Sequence, residues 1–292
     1  MSLLHARGLQ KRFGDTQALS DFDLSLEPGQ IVGLIGPNGS GKTTALKSIM
    51  GLCKLDAGEL QLLGMDPYRQ RPALMARATY IADTGTLPRW MKIRDLLDFV
   101  AAVNPRFDED AARRTLANTD INLHNRVRSL SKGMNVQLHL ALVMASNAEV
   151  LVLDEPTLGL DVLYRQQFYD SLLNDYYEQQ RAILLTTHEV REIEHILTHV
   201  VFIHRGKAVL SSAVDALSEQ FTKVVASKAQ TEPLNAAQPI SRRQTLQGVE
   251  YIFRDIERQA VAELGEVSTP NLAELFVALV QSEDGRELEG KP

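Results

Sequence analysis

Runs of consecutive apolar residues alternate along the chain with longer stretches in which apolar positions recur every three or four residues. Residues 30–35 (QIVGLI), 150–153 (VLVL) and 182–185 (AILL) are apolar on successive positions, as strands buried on both faces of a parallel sheet are. Helical patterns lie between them, which is the rhythm of an α/β fold. Residues 200–204 and 207–211 flank Arg205-Gly206, a hairpin signal near the end of this domain. Residues 85–148 are poor in strand signals and rich in helical ones, and are expected to form a helical insertion. After about Ser212 the character changes. Residues 227–247 are polar, carry Pro233 and Pro239, and read as loop or edge structure, while 249–254 read as a strand. Asn271 can cap a last helix with Glu274 as its capping-box partner. Leu272, Leu275, Phe276, Leu279 and Val280 then share one face and would dock it. The expected organisation is one domain over residues 1–212, with a helical subdomain at about 85–148, and a small α+β accessory region over 213–292.

Composition narrows the function classes. The chain has 292 residues, 44% of them apolar, enough for a large core without disulfides or metal. Cys53 is the single cysteine, which excludes an internal disulfide and a cysteine-based zinc site; it is expected to be a buried thiol. A formal net charge of -6 disfavours general affinity for nucleic acid. No apolar run is long enough to span a bilayer, and the opening MSLLHARGLQKRF lacks the apolar centre of a signal peptide. A soluble intracellular protein is expected, reaching any membrane through a partner.

The sharpest chemical signal is Gly36-Pro37-Asn38-Gly39-Ser40-Gly41-Lys42-Thr43, which fits GxxxxGK[ST] in full. It follows an apolar strand and precedes the helical pattern of residues 44–50, the context this motif requires. Glycines let backbone N–H groups converge on phosphate oxygens, and the helix N-terminus adds a favourable dipole. Lys42 would reach the β- and γ-phosphates, and Thr43 would place its hydroxyl on Mg²⁺. Thr44 belongs to the same turn. Asp154 ends the strand at 150–153, where ligands bind in an α/β sheet, and suits a Mg²⁺ shell. Glu155 follows and could polarise an attacking water.

Further along, Leu130-Ser131-Lys132-Gly133-Met134 resembles the signature of ABC ATPases, whose common form is LSGGQ. Leu158-Gly159-Leu160-Asp161 resembles their D-loop, and Thr186-Thr187-His188 their switch histidine. Phe13 occupies the place of an aromatic that stacks on adenine in this family; taken alone it could equally be core. All these elements stand in family order over residues 1–211. The resemblance implies an ABC-type P-loop NTPase domain with an antiparallel β subdomain and a helical subdomain, binding ATP and Mg²⁺ and hydrolysing ATP. It implies a second ATPase subunit, identical or not, whose bound ATP turns its γ-phosphate to Ser131 and the N–H groups at Lys132 and Gly133, with Asp161 acting across the dimer interface. Glu155, His188 and Lys42 would then be catalytic. It also implies integral membrane partners on other chains and a place on the cytoplasmic face of the cell membrane. The tail PNLAELFVALV resembles that of exporter ATPases, so export is expected over the importer and non-transport alternatives.

The chain departs from the family pattern at two places. Lys132 stands for the usual Gly and Met134 for the usual Gln. Asp83 stands where most members have a Gln that touches Mg²⁺ and links the site to the membrane partner, with Thr84 a competitor for that position. A carboxylate there could still ligate Mg²⁺. His195 and His199 are spaced i, i+4 but lack a third ligand and are expected to be structural or exposed. Arg242-Arg243 is expected to be a solvated pair.

Overall fold

A computed structural model describes residues 2–82, 87–158, 160, 162–176, 181–187, 189–227, 231–246 and 248–289. The chain opens with β1 (Leu4–Phe13), β2 (Thr16–Leu26), β3 (Ile31–Ile35), α1 (Lys42–Ile49) and β4 (Ala57–Leu62). The middle holds α2 (Arg71–Met75), β5 (Ala78–Ile81), α3 (Ile93–Val103), α4 (Glu109–Ala117) and α5 (Lys132–Ala145). Then come β6 (Val150–Asp154), α6 (Val162–Tyr176), β7 (Ala182–Thr187), α7 (Val190–Ile193), β8 (His199–His204) and β9 (Lys207–Ala213). The tail is α8 (Val214–Gln220), β10 (Phe221–Ala226), α9 (Thr231–Ala236), β11 (Ser241–Thr245), β12 (Gly248–Arg254), α10 (Arg258–Val261), β13 (Glu266–Ser268) and α11 (Leu272–Glu289).

The central sheet runs β5-β6-β7-β3-β8-β9, parallel except for β9. Its consecutive apolar runs have a direct cause: each strand feeds two cores. Ile31, Ile35, Leu151, Leu153, Ile183 and Leu185 face one. Val32, Leu34, Val150, Val152, Ala182 and Leu184 face the other. The second core is closed by α1 and by the antiparallel sheet β2-β1-β4. The turn between β8 and β9 is the expected Arg205-Gly206, both with positive φ (47° and 77°), as a two-residue hairpin requires.

The helical insertion forms α3, α4 and α5. Helix α5 is apolar nearly all round because two cores claim it: Val136, Leu140 and Val143 face the sheet, while Leu138, Ala141 and Ala145 face α3 and α4. Glu149, just before β6, ties this layer to the sheet. Its carboxylate takes two hydrogen bonds from Arg77, at 2.8 and 2.6 Å, and another from Arg106. The Arg77 hydrogen bond is the largest cause that draws its pKa down from 4.5 to about 2, against the opposing effect of burial.

The tail adds the sheet β11-β12-β10-β13. The stretch 227–247, expected as loop or edge, contains α9 and the strand β11, which is an edge of that sheet with Arg242 and Arg243 exposed on it. Strand β12 alternates: Tyr251 and Phe253 build a small local core, while Ile252 joins the main one. Helix α11 begins with the expected capping box, Asn271 Oδ1 accepting from the Glu274 N–H and Glu274 Oε2 from the Asn271 N–H, each at 2.9 Å. Its Leu272, Leu275, Ala278 and Leu279 enter the main core, and Phe276 meets Phe202 of β8 edge-on at 5.3 Å. The tail therefore shares apolar core with the nucleotide-binding part.

Two outcomes follow from this packing. Leu275→Ala should destabilise the whole chain by about 2–5 kcal/mol, the range for a buried leucine, with one cooperative urea transition; a second transition confined to the tail would show that the two parts unfold apart. For Glu149, the depressed folded pKa means that its contribution is present above the unfolded value and fades as pH falls toward about 2. Glu149→Gln should melt below the wild type at pH 7, with the gap narrowing between about pH 5 and 2. A gap that does not vary with pH would contradict the assignment.

Candidate functional site

Strand β3 ends at Ile35, and the chain turns through residues 36–41 into α1. Gly41 sits at φ 108°, and a Cβ there would fall on the carbonyl of Ala18, so no other residue fits this turn without strain. The Ser40 hydroxyl is buried in the loop with no hydrogen-bond partner, a donor that a ligand oxygen would satisfy. Lys42 is 6% exposed. Its ammonium donates to the Gly36 carbonyl at 2.7 Å and the Pro37 carbonyl at 3.4 Å, and lies 3.6 Å from Glu155 Oε1. Pro37, Asn38 and Gly39 are exposed at the rim, and Thr44 is half-buried behind them.

Parallel pairing brings the C-terminal ends of β6, β7 and β3 side by side, so Asp154 is carried to the phosphate loop across a distance of 111 residues in sequence. Its carboxylate is 7% exposed and is held by three hydroxyls. Thr186 donates to Oδ1 at 2.9 Å, Thr43 to Oδ1 at 3.3 Å, and Tyr80 to Oδ2 at 3.2 Å. Burial above all, then the Asp154 charge and hydrogen bond, pushes the Tyr80 pKa well above its usual value, which keeps the hydroxyl a donor. Glu155 takes a left-handed backbone, φ 50°, a strain on the order of 1–3 kcal/mol for a residue with a side chain. Its N–H donates to Thr186 Oγ1 at 3.0 Å. Tyr80 and Thr186 are the site residues that sequence reasoning missed. The signal available was register: Thr186 pairs with Asp154, and Tyr80 with Val152.

Other candidates lie elsewhere. Ser131 caps α5, its hydroxyl accepting from the Met134 N–H at 3.2 Å, and remains exposed beside Lys132. Arg89, Arg128, Ser131 and Lys132 line a cavity of 370 Å³ at this end of the helical layer. Gly133 is buried, and a Cβ there would fall on the Tyr164 ring of α6, so a larger residue would have to displace that ring. Phe13 ends β1 at 52% exposure with the Lys11 ammonium 5.2 Å from its ring centre, which removes the core reading. Asp83, Asp161 and His188 lie outside the described residues, as do Thr84 and Gly159. Cys53 is half-buried rather than buried, because it follows α1 on a surface turn beside Lys54. His195 lies on a 3-10 turn and His199 starts β8, so they do not share a helix face; His199 Nε2 is 3.2 Å from Gln30 Nε2.

A strand–glycine loop–helix with a buried lysine, meeting a carboxylate at a neighbouring strand end, defines a P-loop nucleotide-binding domain. The family model described as ABC transporter matches residues 19–158. The chain is 32% identical over 220 residues to Nod factor export ATP-binding protein I of Cupriavidus metallidurans, covering 71% of this chain and 70% of that one. It is 28% identical over 276 residues to the uncharacterized ABC transporter ATP-binding protein YdbJ of Bacillus subtilis, covering 92% and 86%, so that likeness runs into the tail. A solved structure described as the ATP-binding subunit of an ABC transporter superposes with a TM-score of 0.65 at 25% identity, covering 74% of this chain and 91% of that one. The chain belongs to the ABC transporter ATP-binding proteins, an ATP-binding family that generally hydrolyses ATP. Among the described residues, no helix is long and apolar enough to cross a membrane.

Proposed function

We propose that this chain hydrolyses Mg²⁺-ATP to ADP and phosphate and powers export through integral membrane subunits carried on other chains. The observation that carries this reading is the meeting of Lys42, Asp154 and Glu155 at the C-terminal edge of one parallel sheet. Lys42 would exchange loop carbonyls for β- and γ-phosphate oxygens, with Ser40 and the N–H groups of residues 38–44 around them. Thr43 and Asp154 would hold Mg²⁺, which neutralises phosphate charge when bound. One carboxylate, one hydroxyl and phosphate oxygens suit this hard cation, which does not need a protein cage. Among the described residues no group of three or more His, Cys, Asp or Glu offers such a cage. Asp83 would be a further link to the metal.

Glu155 would act as the base, accepting the proton of the attacking water, with His188 orienting that water. Its ion pair with Lys42 at 3.6 Å loosens when the ammonium turns to phosphate, which frees the carboxylate for this work. Phe13, exposed at the end of β1, would stack on adenine. Ser131, Gly133 and Asp161 would meet the ATP of a second ATPase subunit, so that two nucleotides close a head-to-tail dimer. The Nod factor export relative supports the direction of transport. The chain would work on the cytoplasmic face of the membrane, with residues 1–212 as motor and 213–292 as accessory.

Lys42→Ala should lower ATP affinity severely and abolish turnover, since it removes a buried charge-assisted contact. Unchanged turnover in the purified complex with its membrane subunits would rule out this loop as the site. Glu155→Gln should bind ATP as the wild type does but fail to hydrolyse it, and should persist as a dimer in size-exclusion chromatography with ATP and Mg²⁺. A variant that elutes as a monomer there would count against the closed-dimer mechanism.

A further inference from the structure

The plane of a carboxylate at a strand end is loosely set, because rotation about its last torsion is broad. Fixing it takes anchors on both oxygens. Strand order makes this possible for Asp154: β6 lies between β5 and β7, and each neighbour sends one hydroxyl. Thr186 of β7 holds Oδ1 but is shared, since the same hydroxyl accepts the Glu155 N–H. Thr43, the second hydroxyl on Oδ1, is the one that would turn a lone pair to the metal. Tyr80 of β5 engages Oδ2, the other oxygen. Its ring needs no hydroxyl for packing, as it lines the apolar cavity of 430 Å³ with Met75, Leu87, Val100 and Val103.

We propose that Tyr80 is a positioning residue for the metal acid, its hydroxyl setting the plane of the Asp154 carboxylate in which Mg²⁺ is received together with Thr43. The inference rests on Asp154 and Thr43 being the metal-holding pair. It adds that the edge strand leading into the helical layer takes part in metal binding through one phenol oxygen. Without that oxygen the carboxylate pivots on its Oδ1 partners, and metal-free nucleotide binding, which belongs to Lys42 and the loop, is untouched.

The test uses the full chain with Tyr80→Phe, which keeps the ring. A fluorescent ATP analogue is titrated in EDTA and then against Mg²⁺, and Mn²⁺ binding to the ATP complex is followed by electron paramagnetic resonance. We expect metal-free affinity and nucleotide-free melting within error of the wild type. The Mg²⁺ and Mn²⁺ concentrations for half-effect should rise about 10- to 150-fold, the effect of losing one hydrogen bond to a charged group. In turnover, KM for Mg²⁺ should rise by the same factor, with kcat at saturating Mg²⁺ close to wild type. In an Asp154→Asn background, Tyr80→Phe should have no further effect on either metal. Metal affinities within twofold of wild type, or an equal loss in both backgrounds, would overturn the proposal. A wild-type chain whose ATP affinity ignores Mg²⁺, or does not need Lys42, would sink the reading beneath it, and this proposal with it.

Discussion

The structure turns on placing two opposite charges, Lys42 and Asp154, inside a close-packed protein at the C-terminal edge of one sheet, where strands β3 and β6 end. Burying either charge without partners costs several kcal/mol. The local architecture reads as the set of partners that prevents this. Loop residues 36–41 turn carbonyls inward to the ammonium, three hydroxyls surround the carboxylate, and Glu155 balances Lys42 across the gap. The left-handed backbones at Gly41 and Glu155 follow from the same demand, since the chain must turn sharply at both strand ends to aim these groups at one point. The Lys42 ammonium, satisfied at rest by the Gly36 and Pro37 carbonyls and by Glu155, has oxygen partners of the kind that phosphate oxygens can replace.

What could be read in the sequence was what local spacing encodes. The apolar runs at β3, β6 and β7, the Arg205-Gly206 turn and the Asn271–Glu274 box all depend on residues within a few positions of each other, and all stand in the structure. The phosphate loop was legible for the same reason. The hydroxyls of Tyr80 and Thr186 were not, because a parallel register across three strands decides that they meet Asp154. The histidine pair is structural or exposed, as expected: i, i+4 spacing implies a common face only on a helix, and the chain changes from a 3-10 turn to a strand between the exposed His195 and the hydrogen-bonded His199. The polarity of residues 227–247 concealed β11 because an edge strand with a solvated face needs few apolar residues.

The tail illustrates a limit of composition as a guide to domains. The change in character near Ser212 is real, and Val224, Tyr251 and Phe253 do form a core of their own. Yet the sheet has a second face, and Phe221 and Ile252 with α11 join the core under β8. A polar stretch marks where the chain visits the surface, and says nothing about which core the next apolar face will enter.

The same packing logic bears on how Glu155 and the N-terminus of α5, which on the proposed reading serve two different nucleotides, are joined within one chain. Glu155 and the N-terminus of α5 are separated in sequence and lie in different layers, but α6 touches both regions. The turn after Glu155 is pinned by the Leu158 N–H to the Glu155 carbonyl at 3.1 Å and by the Thr157–Tyr169 hydroxyl pair at 3.0 Å. Arg165 of α6 caps the Leu160 carbonyl at 2.8 Å and pairs with Glu192 at 2.6 Å. One residue earlier, Tyr164 covers Gly133 so closely that not even a methyl group fits between them. Contacts without free volume transmit displacement instead of absorbing it. Gly133 thus has a packing role of its own, since its missing side chain is what lets the Tyr164 ring of α6 lie directly against α5.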